Sequence, residues 1–344
     1  MPDESVLSSR KADHIRINLE EDVRSSISTG LDDYYFTHEA MPEINLGDVD
    51  TSTVVFGRSL KAPILISSMT GGTKQAAKIN ITLAEAAQQT GVAIGLGSQR
   101  AGIEHPELDN TFKVRRVAPN VLLFANLGAV QLNYAYTEDH CRRAVDMIEA
   151  DALILHLNPL QEALQPEGDT LFANLAGKIE RICKTLPVPV IAKEVGWGIS
   201  ARTARMLASA GVAAIDVAGA GGTSWSQVEM FRIKDEHLAN VASAFRGWGI
   251  PTAESILQVK QALPEMQVFA SGGLRNGVDI AKCIALGACL GGMASPFLKS
   301  AVRGPDATVQ TILEFQREIQ ICMFATASQK LADLTQSRLH RHNE

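Results

Sequence analysis

What most constrains this chain is a recurrence of eight short, continuously apolar runs separated by stretches of helical pattern. The runs are Pro63–Ser67, Val92–Leu96, Val121–Ala125, Ala152–His156, Val188–Ala192, Ala213–Val217, Gln267–Ser271 and Cys289–Met293. Being apolar throughout rather than at alternate positions, they suit parallel strands buried on both faces. Helical stretches such as 76–91, 201–210 and 279–287 lie between them, and several close in the order helix, glycine, strand, as at Gly91, Gly211 and Gly287. A glycine there supplies the left-handed cap that turns the chain back toward the sheet. Eight β-α units predict an α/β fold, a closed (β/α)8 TIM barrel, with a doubly wound open sheet as the rival.

Residues 1–62 read as an N-terminal extension with one helical segment and a polar stretch near 45–50, and residues 63–344 as the barrel with a C-terminal helix. The segment 225–248, after the sixth run, is expected to be a long loop of the kind that forms lids or oligomer contacts. The tail Arg338–His342 is expected to be frayed and solvated. Charged residues make up 20% of the chain and hydrophobic ones 46%, which excludes a disordered protein. A net charge of −6 gives no electrostatic footprint for nucleic acid, so an anionic ligand must be held by a local cluster of donors. No apolar run approaches the roughly 18 residues of a membrane span, and no signal-peptide pattern opens the chain. Cys141, Cys183, Cys283, Cys289 and Cys322 are widely spaced, so they read as reduced thiols of a cytoplasmic protein.

In a barrel, the segments that follow the strands converge on one mouth. Here they carry Ser68-Met69-Thr70-Gly71-Gly72, Ser98-Gln99-Arg100, Asn126, His156 to Glu162, Lys193, Gly219 to Trp225, Gly272-Gly273 and Ala294-Ser295. The last two tips are small enough for backbone N–H groups to approach a phosphate, although glycines needed only for tight turns would look the same. Lys193 ends an apolar strand, where an ammonium needs an anionic partner; a Schiff-base lysine is the rival reading. Ser68 and Ser98 could equally be capping hydroxyls. His156 to Glu162 offers an imidazole, the amides of Asn158 and Gln161, and the carboxylate of Glu162, which could hold Mg2+ with water and phosphate oxygens or could be a solvated loop residue. Trp225 could wall an apolar substrate or pack at the base of its loop. Arg10, Lys11 and His14 fall on one turn of the N-terminal helix, as a solvated face or as a diphosphate cluster.

These segments, in this order, resemble the type 2, FMN-dependent isopentenyl diphosphate isomerases. The motifs are Arg10-Lys11-x-x-His14, Ser68-Met69-Thr70-Gly71-Gly72, Gly97-Ser98-Gln99-Arg100, His156-x-Asn158-x-x-Gln161-Glu162, Lys193-Glu194-Val195-Gly196, Gly221-Gly222-Thr223-Ser224-Trp225 and Ser271-Gly272-Gly273. The resemblance implies FMN contacts from Ser68, Met69, Thr70, Ser98, Asn126, Lys193, Thr223, Gly272, Gly273, Ala294 and Ser295. It implies that Arg10, Lys11, His14, Ser98, Arg100, Asn158 and Gln161 bind the substrate diphosphate, and that Glu162 binds Mg2+. Ser67 stands where alanine is expected in the family, a mild change. The resemblance further implies an isomerase of isoprenoid biosynthesis that uses reduced FMN as acid–base, NAD(P)H only to prime the flavin, and a homo-oligomer, a tetramer or larger. An FMN-dependent 2-hydroxyacid oxidase or dehydrogenase is the nearest alternative. That alternative resembles enzymes with a histidine and an arginine after a late strand, and Ala218 to Thr223 has neither.

Overall fold

A computed structural model describes residues 13–342. Eight parallel strands close into a barrel in sequence order: β1 (Ile64–Ile66), β2 (Ala93–Gly95), β3 (Leu123–Gly128), β4 (Ala152–Leu157), β5 (Val190–Glu194), β6 (Ala214–Asp216), β7 (Gln267–Ala270) and β8 (Leu290–Met293). Each of the eight apolar runs contributes one strand, and β8 pairs with β1 to complete the ring, so the open-sheet alternative does not apply. Gly91, Gly211 and Gly287 take left-handed conformations, with φ of 72°, 88° and 109°, at the turns from helix into strand.

Two apolar layers explain the closure. Between barrel and helices, residues such as Ile64, Ile66, Leu83, Ile94, Leu153, Leu207, Ile256 and Ile280 form the outer core. Inside the barrel, Leu65, Ala93, Phe124, Ile154, Ile191, Ala214, Phe269 and Leu290 form the inner one. Phe124 and Phe269 stack there with ring centroids 6.0 Å apart. The amino end of the barrel is plugged by a hairpin of Thr53–Val55 and Arg58–Leu60. Its two-residue turn, Phe56 (φ 48°) and Gly57 (φ 76°), has the primed geometry that matches strand twist. Phe56 meets both inner phenylalanines edge-on at 6.2 and 6.1 Å, so only the carboxyl end of the barrel is left open.

Three expectations need correction. Residues 225–248 are not a structureless loop: they hold two helices, Trp225–Arg232 and Glu236–Ser243, and the barrel helix Thr252–Ala262 follows. The tail is not frayed: Leu339–Arg341 pairs antiparallel with Tyr34–Phe36, and the Leu339 side chain is buried. The crossover after β2 has only a short helix, Arg100–Glu104, then the 3-10 turn Pro106–Thr111. Pro106 cannot donate to a helical ladder and bends the residue before it away from helix. No helix among the described residues is long and apolar enough to cross a membrane. All five cysteines are free, and burial pushes every thiol well above its ordinary value, which keeps them unreactive.

Candidate functional site

Strand side chains alternate, so the residues two beyond the inner apolar layer also face the barrel axis. They are Ser67, Gly95, Asn126, His156, Lys193, Asp216, Ser271 and Gly292. The barrel interior thus changes from aliphatic and aromatic to polar or small in one step toward its open mouth. Gly292 lies against both Ser67 and Ser271: a Cβ there would sit 2.6 Å from the Ser67 hydroxyl.

The polar layer is cross-linked. His156 Nδ1 and Asn126 Oδ1 are 2.8 Å apart, joining β3 to β4. Lys193 Nζ donates to the Glu194 carbonyl at 2.6 Å and lies 3.9 Å from Asp216 Oδ2. The Ser271 hydroxyl donates to Asp216 Oδ1 at 2.6 Å. Glu194 points the other way, where one carboxylate oxygen accepts from the amides of Val195, Gly196 and Trp197 at 2.6–2.7 Å. Burial pushes the Glu194 carboxyl up to about 7 despite those donors and the Lys193 charge.

Above this layer the loops nest closely. Gly97 packs against the Thr70 backbone, where a Cβ would approach the carbonyl to 2.5 Å, so loop one rests directly on loop two. Gly272, at φ 102°, lets loop seven lie on the Gly219 carbonyl, which an added Cβ would meet at 2.1 Å. The hydroxyls of Ser67, Ser68 and Thr70 are buried without a hydrogen-bond partner. Met69 and Ser98 are half-buried beside them, while Ala294 and Ser295 are exposed where the helix Ser295–Arg303 begins. Loops seven and eight stand across the mouth from loops three and four, because the strands follow one another around the ring in sequence order.

On the far side, loop four builds a second polar cluster. Asn158 immediately precedes the helix Pro159–Leu164, which presents Gln161 and Glu162, both buried. Asn158 Nδ2 donates to Glu162 Oε1 at 2.7 Å and to Gln161 Oε1 at 3.3 Å, while Asn158 Oδ1 is buried without a donor. Glu162 Oε2 accepts from the Asp169 amide at 2.7 Å. The Asp169 carboxylate in turn accepts from Arg100 at 3.0 Å and from Gln131 at 2.8 Å. Arg100 also donates to Glu104 at 2.9 Å.

The N-terminal helix over 13–20 closes this side. His14 Nε2 lies 3.3 Å from Glu229 Oε1 and packs edge-on against Trp225 at 5.1 Å. Trp225 itself packs with Ile17, Val23 and Val228, which is the packing reading of that residue. Glu229, fully buried, also accepts from Gln161 at 2.9 Å, Gln165 at 2.7 Å and Arg232. Burial would raise its carboxyl, but hydrogen bonding and charge from His14, with Arg232 and Gln161, lower it to about 2. The strand-like bridge Arg24–Thr223 and the Ser25 amide on the Gly222 carbonyl (2.8 Å) tie the extension to loop six.

Of the residues singled out in the sequence, Asn126 and Lys193 belong to the polar layer and Ser68, Met69, Thr70, Ser98, Gly272, Gly273, Ala294 and Ser295 to the tips around it. His14, Asn158 and Gln161 share the Glu229 cluster with Glu162, and Arg100 reaches Glu162 through Asp169. The Thr223 hydroxyl instead faces Asn18 on the N-terminal helix, at 3.4 Å. Arg10 and Lys11 lie outside the described residues. Sequence reading missed Asp216 and Glu229. Asp216 was legible as a lone charge inside an apolar run; Glu229 had no signal, because only the fold carries its helix to loop four.

The sequence profile of the FMN-dependent dehydrogenases matches residues 168–341. Among solved structures, a mandelate oxidase mutant is similar at TM-score 0.64 and 19% identity, covering 96% of this chain and 91% of its own. A flavocytochrome b2 variant is similar at TM-score 0.69 and 18% identity, covering 95% and 78%. At such identities the likeness concerns the barrel alone. Curated relatives are much nearer. The isopentenyl-diphosphate delta-isomerase of Nostoc sp. is 52% identical over 97% of this chain and 96% of its own length. That of Synechocystis sp. is 55% identical over 95% and 94%, and that of Rickettsia bellii 48% identical over 97% and 98%. Identity of this order along the whole chain, on a flavoenzyme barrel, leaves one conclusion: the chain belongs to the type 2, FMN-dependent isopentenyl-diphosphate delta-isomerase family.

Proposed function

We propose that this enzyme moves the double bond of isopentenyl diphosphate to give dimethylallyl diphosphate, with reduced FMN at the barrel mouth and Mg2+ at the substrate diphosphate. The observation that carries the reading is the pairing of two polar regions on opposite sides of one mouth. Orphaned hydroxyls at Ser68 and Thr70 after β1, with Lys193 across the barrel axis on β5, suit a flavin ring lying between them, and a buried Asn158 oxygen beside the Glu162 carboxylate suits a hard cation. Both groups therefore fit the residues present. When bound, reduced FMN supplies an acid–base group at N5, with NAD(P)H needed only to prime it.

The remaining work falls to the chain. Ser68, Met69, Thr70, Ser98, Asn126 and Lys193 would hold the ring, and Thr223, Gly272, Gly273, Ala294 and Ser295 the ribityl phosphate side, where backbone amides and a helix start favour an anion. Lys193 would stabilise negative charge on the reduced ring. His14, Arg100, Asn158 and Gln161, with Arg10, Lys11 and Ser98, would bind the diphosphate, and Glu162 the Mg2+. Substrate charge makes the cation necessary: a carboxylate and a diphosphate cannot share a pocket unscreened. Binding energy from the diphosphate then serves to place the apolar tail, whose carbon acids are weak, against the flavin with water excluded. The helix over 13–20 already covers that side. Phe231, Leu238 and Val241 on the helical pair after β6, and Trp248 just beyond it, leave apolar surface open, which suits the homo-oligomer implied by the resemblance.

Loop six, Ala218 to Thr223, carries no histidine or arginine for a hydroxyacid substrate, so the oxidase alternative gains no support. The test is an anaerobic isomerisation assay with visible spectra before and after reduction. Turnover of isopentenyl diphosphate is expected only with reduced flavin and Mg2+. Equal activity in air without reductant, or oxidation of a 2-hydroxyacid in its place, would overturn the reading.

A further inference from the structure

The polar layer contains a charge that the reading above leaves idle. Asp216 has no exposed surface. Its Oδ1 accepts from the Ser271 hydroxyl at 2.6 Å and from the Ala218 amide at 3.3 Å. Its Oδ2 has no hydrogen-bond donor at all, and the Lys193 ammonium stands 3.9 Å away. Adjacent strands hold the two in register, and both face the barrel axis. Lys193 gives one N–H to the Glu194 carbonyl, which leaves two for groups above it.

An asparagine of the same shape would accept from Ser271 and Ala218 equally well. What only aspartate adds is negative charge, and burying that charge costs free energy unless it serves a partner. Burial holds the Asp216 carboxyl above the usual carboxylate range, with Lys193, Ser271 and Ala218 pulling against it. We propose that Asp216 is a positioning residue: it is the counter-charge of Lys193, and the pair together sets how strongly this site favours the reduced, negatively charged form of a flavin. The inference rests on the reading that FMN lies against Lys193. In a water-poor interior the field of a single lysine would be felt in full, and a carboxylate behind it offsets part of that field.

The test is spectral titration of the reduction potential of bound FMN in the holoenzyme. Asp216→Asn removes the counter-charge with little change of shape, so the reduced form should be favoured about tenfold more, a rise of roughly 30 mV for a two-electron couple. Lys193→Ala should lower the potential. Ser271→Ala, which takes one donor from the carboxylate without altering its charge, leaves more of that charge to offset Lys193, so it should lower the potential by less than Asp216→Asn raises it, and it covers the case in which that variant does not fold. A merely structural Asp216 would change thermal stability and leave the potential alone. An unchanged or lowered potential in Asp216→Asn, or an unchanged or raised one in Ser271→Ala if it must stand in, beside a lowered one in Lys193→Ala, overturns the role of Asp216. An unmoved potential in Lys193→Ala overturns the flavin placement, and the proposal with it.

Discussion

Glu229→Gln is the perturbation whose size the structure states most directly. The carboxylate is fully buried, accepts from Gln161, Gln165 and Arg232, and has His14 Nε2 at 3.3 Å. Its pKa falls from 4.5 to about 2, because the His14 and Arg232 charges and the Gln161 amide outweigh the cost of burial. At 1.36 kcal/mol per pH unit, that difference is worth about 3 kcal/mol of folding stability. The sign follows from the depressed value: the contribution is present above pH 4.5 and is lost as pH falls from 4.5 through 2. Glutamine keeps one acceptor but strands Arg232 and turns an NH2 group toward other donors. Urea denaturation at pH 6 should therefore show a loss of about 3 kcal/mol, and stability should fall less steeply in the variant than in the wild type as pH drops below 4.5. Under the proposed function KM for isopentenyl diphosphate should rise as well, since Gln161 and His14 lose their anchor. Equal denaturation midpoints from pH 6 down to pH 3 would refute the reasoning.

The other expectations are narrower. Glu162→Gln keeps the shape of the side chain and removes its charge, so turnover should drop steeply with a weakened Mg2+ dependence and FMN binding intact; a wild-type Mg2+ profile would put the metal elsewhere. Thr70→Val exchanges an orphaned buried hydroxyl for a methyl group, which should leave the fold at least as stable while FMN binds roughly tenfold more weakly, about 1.4 kcal/mol; unchanged affinity in a flavin titration would remove Thr70 from the site. Phe56→Ala uncovers the amino end of the barrel and should cost about 3 kcal/mol in chemical denaturation, with little change in the bound-flavin spectrum.

The eight strands were legible because parallel strands buried on both faces must be apolar at every position, a demand that acts on each short run separately. The glycine turns at 91, 211 and 287 were legible for the same local reason. Lys193 and Asn126 could be picked out as polar residues at strand ends, and the order of motifs along the chain pointed to the family. What followed from distant partners could not be read this way. Nothing in Leu339–Arg341 says that its backbone pairs with Tyr34–Phe36, some three hundred residues earlier, and a tail without that partner would fray. The helices in 225–248 show weak periodicity because one of them buries Ser226, Gln227 and Glu229 beside a single apolar side chain, Val228. Asp216 looks like an interruption in an apolar strand until the barrel closes and places it behind Lys193. Glu229 becomes a hub only when helix 225–232 meets loop four and the N-terminal helix. Local sequence decides which segments become strands or turns, since that choice depends on neighbours along the chain. Which charges face one another across the mouth is decided by closure of the ring, and only the tertiary structure contains it.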